Sequence, residues 1–271
     1  MTAWLGIAAL LAIQGEAVLV ELPAEGQLAD AATVELTWQD QSVELTRRGD
    51  AWVALLGVDL DVAPGEYELP VRYSDAAGNE AVLPETLRVG QGDYPQTHLE
   101  VAERFVNLAD EDQQRAARES RRIAAVYSTR SDERDWLTPF AAPLPGVSGG
   151  RNFGHRRFFN GQPRNPHSGV DLRAGEGTEV FAANGGRVAL ADDLFFSGNA
   201  VFIDHGAGVV SVYLHLSRID VVEGERVERG QAIGLSGSTG RVTGPHLHWG
   251  IRVLEARVDP FTLPGLNAGE R

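Results

Sequence analysis

Gly244-Pro245-His246-Leu247-His248-Trp249-Gly250 decides the fold of the second half of this chain. Two imidazoles at i and i+2 diverge on a helix but share one face of a strand. The stretch therefore reads as a strand with His246 and His248 on one face and Leu247 and Trp249 turned into a core. Working outward, residues 209–217 alternate: Val210, Val212 and Leu214 interleave with Ser211, Tyr213 and His215, which predicts a second strand with one core face and His215 on the other. Further upstream stands His167-Ser168-Gly169-Val170-Asp171. A four-residue spacing puts both side chains on one face of either a helix or a strand. Asn165-Pro166 before it and Ser168-Gly169 within it argue against the helix.

Each piece alone is weak, because a lone HxxxD or HxH is an ordinary event. Together, with a third histidine on a strand facing the same way, they are spaced like the parts of one zinc site. A catalytic zinc takes three protein ligands and leaves a position open, and imidazole and carboxylate suit it. Without cysteine, no thiolate competes for the role. The other two histidines considered read as structural: His205 lies in Asp204-His205-Gly206, a turn whose residues tolerate unusual dihedrals, and His98 reads as surface.

His167 to Asp171, Tyr213-Leu-His-Leu-Ser217 and the segment 244–250 resemble the zinc endopeptidases of the lysostaphin type, which cleave peptide cross-links in bacterial cell walls. The resemblance covers residues 138–263. It includes the lead-in from Phe153 to Pro163 and the glycine-rich Val227 to Gly240, and all five positions match. It implies a duplicated-hybrid-motif β fold in which His167, Asp171 and His248 bind one Zn2+, while His215 and His246 handle protons or steady the oxyanion. Two neutral imidazoles and one carboxylate leave zinc net positive, so it lowers the pKa of water and polarises a carbonyl. No HExxH is present, so a histidine near its ordinary pKa, His246 or His215, takes the proton instead.

Other chemistries fall away on residue types. A cysteine nucleophile is impossible, and Gly234-Leu-Ser236-Gly-Ser238 does not complete a nucleophile elbow. The chain has no lysine, so its glycine-rich hairpin is no biotinyl or lipoyl carrier. Gly175-Glu-Gly177 lacks the third glycine of a dinucleotide fingerprint and reads as a β-turn.

At 271 residues and 43% hydrophobic the chain has room for two cores. The net charge of −14 is uneven: residues 1–137 hold 11 Arg against 25 Asp and Glu, whereas residues 138–271 hold 13 of each. The acid excess excludes nucleic acid and anionic membrane surfaces as partners and reads as a solvated surface. Residues 4–13 form an apolar run of signal-peptide length followed by a small-x-small site at residues 15–17, although no basic residue precedes it. The run is too short to span a bilayer. The alternative is a first strand or short helix. Residues 18–92 carry about seven short strand-like runs between turn signals, the pattern of an immunoglobulin-like sandwich. From 97 to 128 the period turns helical, with Asp110-Glu-Asp112 early and Arg118, Arg121 and Arg122 late.

These readings give a mainly β protein: a leader over 1–17, an immunoglobulin-like β-sandwich over 18–92, a helical connector over 93–137, an antiparallel β zinc-peptidase domain over 138–263 and a tail over 264–271. The expected activity is zinc-dependent hydrolysis of peptidoglycan stem-peptide cross-links in the periplasm or outside the cell, with an envelope protein as partner of the N-terminal domain. From the basic cluster Arg151, His155, Arg156, Arg157 and Arg164, Arg156 and Arg157 are expected to hold substrate carboxylates through guanidinium forks. The rivals are a non-catalytic regulator or adaptor of other wall hydrolases and a zinc peptidase for protein substrates.

Overall fold

The computed structural model describes residues 10–103, 108–147, 150 and 152–266. Arg151 and the first nine residues lie outside that set. The chain divides into two compact units, Met1–Gly92 and Asp93–Arg271. Both are built mainly from β-strands, as the turn-punctuated sequence implies.

Among the described residues the first unit contains ten short strands in three sheets, more than the turn spacing suggests. Ala17–Pro23 and Thr46–Arg48 flank Ala51–Gly57, whose side chains are almost all buried. Ala31–Trp38 is central to a four-stranded sheet, between Gln41–Glu44 and Val71–Asp75. Trp38 and Trp52 enter the core and donate their indole N–H to the carbonyls of Gly57 and Leu28 at 2.8 and 3.2 Å, so neither polar atom is buried unpaired. Within the run read as a leader, Leu10–Ile13 is a strand. It pairs in parallel with Thr86–Gly90, with Ala12 buried against the unit.

The second unit is organised by one antiparallel sheet. Val170–Leu172, Leu247–Val253, Val209–Ile219, Gly198–Asp204, Gly186–Leu194 and Arg226–Val227 neighbour one another in that order, and Ala232–Ser236 also pairs with Val209–Ile219. The register sets Asp171 opposite His248, and His248 opposite Leu214. Leu247 and Trp249 are fully buried beneath the histidine face, as the i, i+2 pattern requires.

Strict alternation fails in the neighbouring strand. Residues 209–213 are buried on both faces, and Tyr213 accepts a hydrogen bond at its hydroxyl from the Ala183 N–H at 2.7 Å. The register against Gly198–Asp204 then shifts, and His215 takes φ +65°. This bulge, not a polar face, turns His215 outward. It also brings Leu214 to the same side.

The helix is shorter than its period suggests: Asp110–Tyr127 is helical, whereas Gln96–Leu99 is a strand parallel to Arg156–Phe159. Asp110, Glu111 and Asp112 do fill the first turn, where the helix dipole favours them, but no basic residue lies in the last turn. Its arginines serve tertiary contacts instead. Arg115 and Arg122 pair with Asp193 and Asp192, while Ile123, Val126 and Tyr127 pack on Leu190, Phe202 and Val212. The helix is thus a cover on the large antiparallel sheet. Arg156–Phe159 turns back into Gln162–Pro163 through Asn160 and Gly161, at φ +49° and +79°. Asn-Gly supplies a two-residue turn with both central φ values positive.

Candidate metal centre and cleft

The two strands that carry His248 and Asp171, and the loop before the latter, bring three donor atoms together. His167 Nε2 lies 2.8 Å from His248 Nδ1, His248 Nδ1 lies 3.0 Å from Asp171 Oδ1, and His167 Nε2 lies 3.0 Å from the same oxygen. Ligand atoms on a tetrahedral zinc with bonds of about 2.0–2.1 Å stand roughly 3.3 Å apart, so the triangle has the scale of a metal centre. Its tautomers agree: His167 Nδ1 donates to the Asn152 carbonyl at 2.8 Å, which leaves Nε2 as the bare nitrogen. Burial holds His167 down at a pKa of about 4, so it is neutral and ready to ligate. Burial alone would raise the Asp171 carboxyl, but its close contacts with the His167 and His248 imidazoles hold it far below the usual carboxylate range. These donors fit a zinc ion.

Asn152 braces the triangle at three points. Besides accepting from His167, it accepts the Asp171 backbone N–H at Oδ1 (2.9 Å) and donates Nδ2–H to Asp171 Oδ2 (2.9 Å). Arg157 donates Nη2–H to the same Oδ2 at 2.7 Å, so Asp171 turns one oxygen to the donor triangle and has the other held from behind. Partners of this kind orient the ligands and tune them. Gly169 sits where a Cβ would fall 2.4 Å from the Trp249 carbonyl oxygen and 2.8 Å from His248 Nε2; the HxGxD glycine lets the two strands close.

His215 and His246 face the triangle without joining it, with ring centroids 5.0 Å apart. His215 donates from Nδ1 to the Thr239 carbonyl at 2.9 Å, and its own N–H is fixed by the Ser197 carbonyl at 2.9 Å. His246 donates from Nδ1 to the Gly244 carbonyl at 2.8 Å, and its Nε2 is 3.6 Å from Asp171 Oδ1. In the neutral form of each ring this leaves Nε2 as the nitrogen that can accept a proton. Burial, then the neighbouring His248 and His246, pushes His215 down to about 3.

All five residues line one cleft of about 750 Å³. Arg157 and Arg164 line it too, whereas Arg156 is exposed and lies outside it. Sequence reasoning passed over Asn152, Phe196 and Arg241. Arg241 follows directly on the glycine-rich stretch, and a lone cation between that turn and the HxH strand was the available signal. Of the histidines read as structural, His205 is fully buried between the Gly185 carbonyl and the Ser211 hydroxyl, and His98 stacks on Phe158.

Comparison with known proteins follows these residues. Residues 165–260 match the model of peptidase family M23. The chain is similar to the Vibrio cholerae peptidoglycan DD-endopeptidase ShyA (48% identical over 99 residues, 36% of this chain and 23% of the relative) and ShyC (44% over 114 residues, 41% and 26%). It thus spans about a quarter of the length of these curated relatives. A crystal structure of a Pseudomonas aeruginosa protein assigned to peptidase M23 aligns over 94% of this chain and 95% of its own, at 32% identity and a TM-score of 0.67. Similarity over nearly the whole of both chains, together with a cleft built on the His-Asp-His triangle, makes this chain a member of peptidase family M23.

Proposed function

We propose that this protein is a zinc-dependent endopeptidase that hydrolyses peptide cross-links of bacterial peptidoglycan. The observation that carries the reading is one cleft in which three donor atoms form a triangle and two further imidazoles, each held at Nδ1 by a backbone carbonyl, face it. His167 Nε2, Asp171 Oδ1 and His248 Nδ1 would hold the metal. When bound, zinc supplies a Lewis acid that acidifies water and polarises the scissile carbonyl. One of His246 and His215 accepts the proton of the attacking water at Nε2. The imidazolium so formed donates that proton to the leaving amine, or a hydrogen bond to the developing oxyanion. Their backbone carbonyl partners fix the tautomer for both steps.

The names of the Vibrio relatives favour a D,D-peptide bond as the one cut, and a wall substrate places the protein in the periplasm or outside the cell. A lysostaphin-type cross-link is the alternative substrate. Among the described residues no helix is long and apolar enough to cross a membrane. The test is incubation of the zinc-loaded protein with purified sacculi and analysis of the released muropeptides. Release of new peptide termini supports the reading. An intact sacculus with stoichiometric zinc would leave the regulator role, and an intact sacculus with cleaved protein substrates would leave the protein peptidase.

A further inference from the structure

The chain carries a net charge of −14, yet its cleft is lined by Arg157, Arg164 and Arg241 against a single carboxylate, Asp171. Two of the three arginines are occupied. Arg157 is held by Asp171, and Arg164 donates to Gln162 Oε1 at 2.9 Å. Arg241 is different. Its guanidinium lies between two rings, 4.6 Å from the Phe159 centroid and 4.4 Å from the Phe196 centroid, and makes no ion pair or side-chain hydrogen bond among the described residues. Burial, then the charges of Arg157 and Arg164, lowers its pKa to about 10, so it stays charged at neutral pH while lacking a counter-ion.

The clamp is built from the fold. Phe159 precedes the Asn160-Gly161 turn. Phe196 follows Phe195, whose N–H is held by Glu119 of the covering helix at 2.8 Å, and the Phe196 carbonyl accepts the Arg241 N–H at 2.9 Å. Contact with both rings restricts the guanidinium, which lines the cleft with its N–H groups unpartnered among the described residues. A planar fork with little freedom left to lose is matched to a carboxylate. Aromatic rings supply cation–π contact but no negative charge to neutralise it.

We infer that Arg241, clamped by Phe159 and Phe196, is a carboxylate-binding subsite that selects cross-links bearing a free carboxylate beside the scissile amide, as when the amine donor is a diamino acid with its own α-carboxylate, over cross-links that are uncharged there. The substrate assignment rests on the peptidase reading above; the anion subsite does not.

The experiment uses the full-length, zinc-loaded protein and a pair of synthetic cross-linked stem peptides. They are identical except that the carboxylate on the carbon bearing the scissile nitrogen is free in one and a carboxamide in the other. Calorimetric binding is measured with His246→Ala, in which turnover is slowed by roughly two to four orders of magnitude, and with the His246→Ala/Arg241→Gln and His246→Ala/Arg241→Lys double variants; hydrolysis is measured with His246 intact. The free acid is expected to bind roughly ten- to a hundredfold more tightly than the amide, the scale of a charge-assisted hydrogen bond. Arg241→Gln should abolish that preference while leaving amide binding unchanged, and Arg241→Lys should keep part of it, because it retains charge without the fork. In hydrolysis the same loss should fall on KM for the free acid. Equal binding of the two peptides, or a preference that survives Arg241→Gln, overturns the subsite. A preference that depends on Arg241 but comes with no hydrolysis of either peptide supports the subsite and sinks the peptidase reading instead.

Discussion

The two units use similar strands for different ends, and their buried polar residues show it. In the first unit Glu85 is the buried charged or polar side chain among the described residues; in the second there are eight, including His167, His205, His215 and His248. All seven histidines of the chain lie beyond residue 92. Residues 1–92 hold 15 Asp and Glu against 4 Arg and bury only Glu85 of them among the described residues, whereas residues 93–271 hold 23 against 20 and bury several ionisable side chains. Burying a polar group without a partner costs more than a surface one can return. The first unit avoids that cost. The second accepts it and meets it with specific partners such as Asn152 and Arg157, as a unit that houses chemistry must.

The comparison breaks most decisively at the ligands. Asp171→Ala should lose zinc, measured by metal analysis after dialysis, and with it all hydrolysis and part of the thermal stability; retention of stoichiometric zinc would remove Asp171 from the site. His248→Ala should behave alike. By contrast His246→Ala and His215→Ala should keep zinc and lose roughly two to four orders of magnitude in kcat, the scale of a missing acid or base. Equal zinc loss in all of these variants would mean a closed structural site.

Next come the braces. Asn152→Ala leaves every ligand in place but removes the acceptors for His167 Nδ1–H only if the backbone moves, and certainly removes both side-chain contacts to Asp171. Zinc affinity, read by competition with a chelator, should fall about 10- to 100-fold. An unchanged affinity would show that Arg157 alone suffices to hold the carboxylate.

The cost of burying histidine should appear as pH-dependent stability. Burial holds His205 at about 4 in the folded state against 6.5 when free. The unfolded chain therefore takes up this proton first. His205 contributes no penalty above pH 6.5, and stability is lost as pH falls from there to about 4, by about 3 kcal/mol at most. Denaturant unfolding of the second unit at pH 7 and pH 4.5 should show this loss, and His205→Gln should reduce it; an identical pH dependence in the variant would assign the effect elsewhere.

Smallest is the effect of removing the first unit. Residues 93–271 alone should hydrolyse a soluble cross-linked muropeptide within a few-fold of the full chain. Cutting further, to 138–271, strips the helix from Leu190, Phe202 and Val212, at about 1.5–3 kcal/mol for each large side chain uncovered. It also frees the Phe195–Phe196 loop from Glu119. Comparable melting temperatures for the two truncations would show that the helix is not part of the second unit's core.

Much of the site was legible in one dimension because period and donor chemistry are local. HxH demands a strand, and Asn-Pro with Ser-Gly keeps HxxxD from being a helix. Three donors with two spare histidines made the pattern on which the resemblance to a zinc peptidase family rested. The mainly β character followed from alternation and turn residues, and the acidic first half from counting. What the sequence could not carry depends on atoms distant along the chain. The bulge that turns His215 outward arises from register against a strand fixed elsewhere. The helix begins only at Asp110 because residues 96–99 pair with Arg156–Phe159 instead, so its period overran. Asn152 matters because the Val170–Leu172 strand packs beside it, and Arg241 because two phenylalanines distant in sequence, one at a strand end and one in a turn, meet its guanidinium. Side-chain type sets which chemistry is possible, and only packing decides which atoms face one another.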